Sequence, residues 1–202
     1  FQALRRSRAL RQWAWAHALN LRDIPTAWPL AAMEHRRWGL TLESIFITEK
    51  IPDTYNLKIS LLENQHLPKN PHDRYALCLK IGQILHNLDY SGLNHRDCKV
   101  SNILIQKLRD KNDNTLWQPY LIDLDGLGRL YGLRYIKRHQ AIIRLAASSL
   151  ELPNVTNRDR LAVFLGYARS NFRTPIIWRL WRHISERAMR RAMLNKQDAP
   201  DQ

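Results

Sequence analysis

Apolar residues recur every three or four positions in some stretches of this chain and every second position in others, and the two periods divide it into elements. Residues 3–20, ALRRSRALRQWAWAHALN, lack Gly and Pro and are rich in helix formers. They predict a helix with Ala9, Trp13, Ala16 and Leu19 or Asn20 on one face, ended by Pro25 and Pro29. Two strands are expected next, residues 26–37 and 41–51, with Gly39 near the bend. Pro52-Asp53 reads as a turn and residues 55–63 as a short helix. Residues 72–90 carry Tyr75, Leu79, Ile81 or Gly82, Leu85 and Leu88 at helical spacing, with a stop near Ser91-Gly92. SNILIQKL (101–108) and WQPYLIDLD (117–125) flank a polar turn, 109–114, and read as a hairpin. Residues 134–197 are mostly helical in pattern, with interruptions near Pro153 and Pro175. The tail NKQDAPDQ reads as frayed. The fold class is therefore α+β with a helical second half, and neither an internal repeat nor a low-complexity segment is evident.

Composition narrows this picture. A length of 202 residues fits one domain, or one domain plus a fragment, and 45% apolar with 25% charged residues supports an ordinary buried core. Cys78 and Cys98 form no disulfide framework, so a reduced, cytosolic protein is expected. No run approaches the roughly 18 apolar residues of a membrane span, and no signal-peptide pattern opens the chain. The chain starts at Phe1 inside a helical pattern, as a fragment or a processed chain would.

The charge is lopsided: 32 Lys and Arg against 18 Asp and Glu give a net charge of +14. From Arg129 to Arg191 there are fourteen Lys and Arg against three acids, Glu151, Asp159 and Glu186. Such a field attracts nucleic acid, anionic lipid or phosphorylated glycan, although a merely solvated basic face has the same composition. The last helix sets Ile177, Leu180, Trp181, Ile184 and Ala188 against Arg179, Arg182, Arg187, Arg190 and Arg191. That pattern suits an anionic membrane surface, and it suits packing on the core equally well.

Two short stretches carry the chemistry, SGLNHRDCKVSNILI (91–105) and LIDLDGLGR (121–129). Asp97 follows His95-Arg96 and Asn102 stands five residues on, the H-R-D-x-x-x-x-N spacing of phosphoryl-transfer loops. Asp123 ends the second hairpin arm, so the hairpin brings it to Asn102 across 21 positions. A carboxylate beside a hydroxyl nucleophile takes or orients its proton, which is the role expected of Asp97. Mg²⁺ keeps only one or two protein oxygens beside substrate phosphates, a role that Asn102 and Asp123 fit. Lys99 lies within reach of a transferring phosphate, with Arg96 as support. His95 reads as a packed loop histidine and Asp125 as a turn residue before Gly126.

These motifs resemble the lipopolysaccharide kinases, the Kdo/heptose kinase family of Gram-negative bacteria, over nearly the whole chain. Residues 7–34 resemble the family's early helix and following strand, and ESIFITEKIPDTYNL the strand leading to the linker between lobes. GLNHRDCKVSNILI resembles the catalytic loop and LIDLDGLGR the metal loop, while QAIIRLAASSL and VTNRDRLAVFLGYAR are similar to later helices. The resemblance implies a protein-kinase-like fold, with a partial N-lobe at residues 1–52, a helical C-lobe at 53–196 and a flexible tail at 197–202. It implies ATP and Mg²⁺ as cofactors and phosphate transfer to a heptose or Kdo hydroxyl of the lipopolysaccharide core. Asp97 and Lys99 would be catalytic, Asn102 and Asp123 would hold metal and nucleotide, and Glu49, Lys50 and Ile51, in the linker from Ile47, would border the adenine. The expected location is the cytoplasm, with peripheral contact to the anionic inner membrane face.

The chain departs from the family in two places. No Gly-rich loop or strand lysine precedes the first helix, and Gln12 stands where that helix should offer a glutamate. The chain is therefore either a piece of a kinase whose nucleotide lid lies upstream, or a degenerate relative acting as a binding module. A kinase with another acceptor keeps the same loops. Tyr131-Arg134-Tyr135 and Trp178-Arg179-Trp181-Arg182 would let bases stack. No recognised nucleic-acid motif accompanies them, so nucleic acid is not the expected partner.

Overall fold

The computed structural model describes residues 7–109, 115–129, 138–170 and 174–197. Helix α1 (Arg8–Asn20) starts on Ser7, whose hydroxyl accepts from the Leu10 amide at 3.2 Å, and it buries Ala9, Ala16 and Leu19. Strands β1 (Pro29–Arg37) and β2 (Leu40–Thr48) pair antiparallel across Trp38-Gly39. Both turn residues have positive φ, 54° and 78°, and the two-residue hairpin turn of this twist requires that geometry. The expected first strand begins three residues late. Thr26 is instead tied to the far hairpin, its hydroxyl donating to the Leu121 carbonyl at 2.8 Å.

The short helix expected from Tyr55 begins at Leu57. Residues Thr54–Asn56 form strand β3 and α2 spans Leu57–Glu63, capped by the Asn56 side chain. Long-range pairing of β3 with β5 overrides the local pattern at Tyr55. Helix α3 (Pro71–Tyr90) has Asn70 as its cap, Pro71 at its first position and Asp73 in its first turn. It ends at Ser91-Gly92, with Gly92 at φ 68°.

Strand β4 (Leu93–His95) leads to the loop, followed by β5 (Ile103–Arg109), β6 (Thr115–Leu121) and β7 (Leu127–Arg129). β5 and β6 are the expected hairpin in register Ile103↔Leu121, and its turn residues 110–114 lie outside the described residues. Its second arm stops at Leu121, so the LIDLD run leaves the sheet before its first aspartate.

Helices α4 (Gln140–Ser149), α5 (Asn157–Ala168) and α6 (Pro175–Gln197) complete the chain. Pro175 opens α6 rather than interrupting a helix, as its fixed φ favours. The first residues of the expected tail still belong to α6, and 198–202 lie outside the described residues. Leu85, Leu88, Ile103, Ile105, Leu121 and Phe164 fill the core between hairpin and helices. The apolar face of α6 is spent on that core: Ile184 and Ala188 are buried, and Ile177, Leu180 and Trp181 pack against it. Among the described residues no helix is long and apolar enough to cross a membrane.

Candidate active site

The loop after β4 is held from below. β4 pairs with β7, and the Arg96 amide donates to the Gly126 carbonyl at 2.7 Å. His95 is fully buried and its Nδ1 accepts from the Asp97 amide at 3.3 Å. Burial holds its imidazole below the usual histidine range, so the ring is neutral and structural, as the sequence suggested. Gly126 leaves room for that ring, because a Cβ there would lie 2.9 Å from Nδ1.

This platform presents Asp97. Its carboxylate is 39% exposed and meets Lys99 Nζ at 2.9 Å, so the two predicted catalytic groups are in contact. Asn102 braces the loop: its amide Nδ2 donates to the Asp97 carbonyl at 2.8 Å. The Ile122 amide in turn donates to the Asn102 carbonyl at 3.0 Å. These two bonds fasten the Asp97 loop to the residue that precedes Asp123. Asp123 itself sits in the left-handed region, φ 56° and ψ 64°, which turns the chain out of β6 and leaves its carboxylate 42% exposed.

The oxygens left over suit a hard cation. With Nδ2 committed to Asp97, Asn102 keeps its Oδ1, which has only a 3.5 Å approach from the Ser101 hydroxyl. Among the described residues Asp123 has one loose ion-pair contact, Arg8 Nη2 at 3.7 Å. An amide oxygen and a carboxylate match the small protein share of a Mg²⁺ shell completed by phosphates. No group of three or more His, Cys, Asp or Glu side chains forms a metal cluster among the described residues.

Asp125 is more than a turn residue. Its carboxylate receives Arg8 Nε at 3.2 Å and Arg11 Nη2 at 3.0 Å, which ties α1 to the loop after β6. Gln12 lies half-buried on the same helix, and α1 presents arginines to this loop rather than an acid. Residues 1–22 contain no acid, and what the sequence left unread is that the arginines of this helix pair with Asp125.

Glu49, Lys50 and Ile51 lie in the connection from β2 to β3, and none of them lines the cavity beside Asp97. Glu49 is anchored by its amide on the Trp28 carbonyl at 2.8 Å, and its side chain is exposed. A cavity of about 490 Å³ opens beside Asp97 and Lys99, bounded by α2, α4 and α6. Cys98, next to Asp97 in the chain, is a buried free thiol pushed up to about 12 by burial, which leaves it unreactive.

Known proteins share this fold. The structure of WaaP in complex with acyl carrier protein superposes with a TM-score of 0.71 at 22% identity, over 92% of this chain and 75% of that one. The Rio2 kinase complex with ADP, Mg²⁺ and phosphoaspartate from Chaetomium thermophilum gives 0.51 at 17% identity, over 96% of this chain and 55% of the other. The fold is thus protein-kinase-like, of α+β class. In sequence, the lipopolysaccharide core heptose(I) kinase WaaP of Pseudomonas aeruginosa is 22% identical over 168 residues, 83% of this chain and 60% of that protein. The 3-deoxy-D-manno-octulosonic acid kinase of Vibrio parahaemolyticus is 33% identical over 97 residues, 48% of this chain and 34% of its own length. The chain therefore spans at most about three fifths of the curated relatives it matches. The family description lipopolysaccharide kinase (Kdo/WaaP) matches residues 1–167, most of the chain, and the protein belongs to that family.

Proposed function

We propose that this chain carries the catalytic and metal loops of an ATP-dependent kinase that phosphorylates a sugar hydroxyl, heptose or Kdo, of the lipopolysaccharide core. The observation that supports this most is the Asn102 brace, which fixes Asp97 and the Asp123 turn to one another at 2.8 Å and 3.0 Å. Asp97 orients the acceptor hydroxyl and draws off its proton. Lys99, 2.9 Å from it, holds that carboxylate in place and faces the transferring phosphate. Asn102 and Asp123 are the metal and nucleotide ligands, and Glu49, Lys50 and Ile51 border the base. Bound Mg²⁺ would neutralise the charge of the phosphates. Residues 1–52 and 53–196 act as the two lobes, with 197–202 as a tail.

The relatives' names guide the partners. Lipopolysaccharide core is the proposed acceptor, at the cytoplasmic face of an anionic membrane, where the outward arginines of α6 make peripheral contact. An acyl carrier protein is a further proposed partner. A largely apolar cavity of about 190 Å³, bordered by Leu61, Leu77, Phe164 and Ile184, has the lining an acyl chain requires. A second reading, a kinase-shaped binding module, draws on Gln12 in α1.

Transfer of labelled phosphate from ATP to isolated core oligosaccharide, over a Mg²⁺ titration, tests the proposal on this chain and on a version extended upstream. Transfer that Asp97→Asn and Asp123→Ala each abolish is the expected result. Nucleotide binding without transfer in either version would favour the binding module. Preference for an unrelated small acceptor would move the enzyme to another substrate.

A further inference from the structure

The cavity beside Asp97 has an unusual lining. Lys58 from α2, Lys99 from the loop, Arg144 from α4 and Arg191 from α6 converge there, against the carboxylates of Asp97 and Glu151. Lys99 is already paired with Asp97. Among the described residues neither Arg144 nor Arg191 makes an ion pair, so two guanidinium groups share this wall with one acid.

The packing explains how they meet. Ala147 of α4 and Ala188 and Ala192 of α6 form a small buried cluster, with Ala146 beside it. Such short side chains let the two helices approach closely. Arg144 lies three residues before Ala147 and Arg191 three after Ala188, one helical turn away in each case. Both arginines are therefore carried to the same edge of the seam. The guanidinium of Arg144 is half-buried, and burial and then Arg191 are the leading causes that lower its proton affinity, with Asp97 opposing. Two like charges held together at a partly dry wall are costly unless an anion joins them. The wall is also fixed relative to the chemistry, because the Val100 amide donates to Ser148 Oγ of α4 at 3.1 Å.

We infer that Arg144 and Arg191, with Lys58 at the rim, bind an anionic group of the acceptor, a carboxylate or a phosphate ester, and thereby set the neighbouring sugar hydroxyl at Asp97. The inference rests on the kinase reading above and names the acceptor chemistry that its site selects. Guanidinium groups suit it, since each offers a planar fork to a carboxylate or phosphate. The cavity volume of about 490 Å³ holds one or two sugar units, enough to place the anion on a residue adjoining the phosphorylated one. Arg144 and Arg191 are positioning residues; Asp97 alone touches the reacting oxygen.

Binding of core oligosaccharide to the chain, followed by calorimetry, tests this without requiring transfer. The probes are intact core oligosaccharide, the same material with phosphates removed, and the same with carboxyls reduced. Arg144→Gln and Arg191→Gln should each weaken binding of the intact probe about tenfold. Arg144→Lys should recover part of the loss, and nucleotide binding should stay unchanged in all three. The exposed Lys58→Gln gives a smaller loss and serves as the variant that cannot fail through misfolding. The probe whose loss of anion abolishes the Arg144 effect identifies the group as phosphate or carboxylate. In whichever version transfers phosphate, the arginine variants should raise KM and leave kcat within about twofold. Equal binding by wild type and both arginine variants would overturn the inference, as would binding indifferent to removal of both anions, or no binding by wild type. The kinase reading fails on a different result, no nucleotide binding and no transfer in either version.

Discussion

Two junctions between arginine and aspartate divide the molecule's labour. In the first, Arg74 of α3 grips Asp159 of α5 with bonds of 2.9 Å and 2.8 Å, the side chains being 25% and 13% exposed. In the second, Arg8 and Arg11 of α1 reach Asp123 and Asp125 at 3.0–3.7 Å, with 63% and 47% of the arginines in solvent. The first is bidentate, and Asp159 also closes the capping box with Thr156. The second is single-pronged and wet, the kind of pair that contributes about 0–1 kcal/mol. The helical seam uses its carboxylate to hold helices together. The side facing α1 keeps its carboxylates in exposed pairs, and Asp123 is held only by a 3.7 Å contact among the described residues.

The seam should therefore break first under substitution. A Cβ on Gly82 of α3 would lie 2.0 Å from the Val163 carbonyl oxygen, and one on Gly166 of α5 would lie 2.1 Å from that of Leu79. Neither backbone can yield without parting the helices. Gly82→Ala should cost about 3 kcal/mol or more and lower Tm by roughly 10 °C in a calorimetric scan. Asp97→Asn should do the reverse, with transfer down about a hundredfold or more and Tm moved by less than about 2 °C. A stable Gly82→Ala, or an Asp97→Asn protein that melts early, would erase the contrast between the two regions.

Asp159→Asn is the next step down. Burial pushes the Asp159 carboxyl up, but its bonds from Arg74 and Thr156 outweigh that and hold it below the usual carboxylate range. Loss of the charge strands a mostly buried Arg74, for about 2 kcal/mol and roughly 5 °C in Tm. Nucleotide binding should be untouched. A larger effect on nucleotide binding than on Tm would mean that the seam and the site are one unit.

The contrast also explains what could be read from the sequence. The Asp97 and Asn102 pairing was legible as a five-residue spacing, but the sequence read Asn102 as a metal ligand and not as the brace that its Nδ2 makes to the Asp97 carbonyl. The β5–β6 hairpin was legible from two apolar runs around a polar turn. Strands β3, β4 and β7 were not, since three residues carry no period and each exists only through a distant partner. The Arg11–Asp125 pair spans 114 positions, and no local pattern announces it. Arg144 did leave a trace, as one charge inside the apolar run AIIRLAA, but its meaning depends on how α6 packs. Asp125 does stand in the short turn Leu124–Gly126, as Asp before Gly suggests, but its contacts with Arg8 and Arg11 had no local signature.

Acidification should loosen the seam through a third contact. Tyr167 donates its hydroxyl hydrogen to Asp89, so the His139 Nδ1 hydrogen-bonded to that hydroxyl must itself be the donor, in a neutral ring. Burial, then Arg138 and the His183 and Arg187 of α6, lower the His139 pKa to about 4. A folded value below the unfolded one, about 6.5, means that stability is full above pH 6.5 and is lost as pH falls toward 4. The loss is about 1.4 kcal/mol per pH unit in that window. Asp89 works in the other direction, its carboxyl raised chiefly by burial, so the quantity to measure is a difference. Denaturant titrations of wild type and His139→Gln between pH 7 and 4.5 should show a shallower decline in the variant. Parallel curves would remove His139 as the titrating group.

The smallest effect tests the loose junction directly. Arg8→Gln removes a contact of 3.7 Å to Asp123 and one of 3.2 Å to Asp125, while Arg11 still holds Asp125 at 3.0 Å. Tm should therefore move by no more than about 1 °C, as exposed pairs of this kind predict. The removed guanidinium was the one group competing with a cation for Asp123 among the described residues. Nucleotide binding should then reach half-saturation at a Mg²⁺ concentration lower by up to about threefold. A higher Mg²⁺ requirement would mean that Arg8 faces the phosphates rather than the metal. A fall in Tm of several degrees would mean that α1 is held as firmly as the seam, and the two junctions would no longer differ in kind.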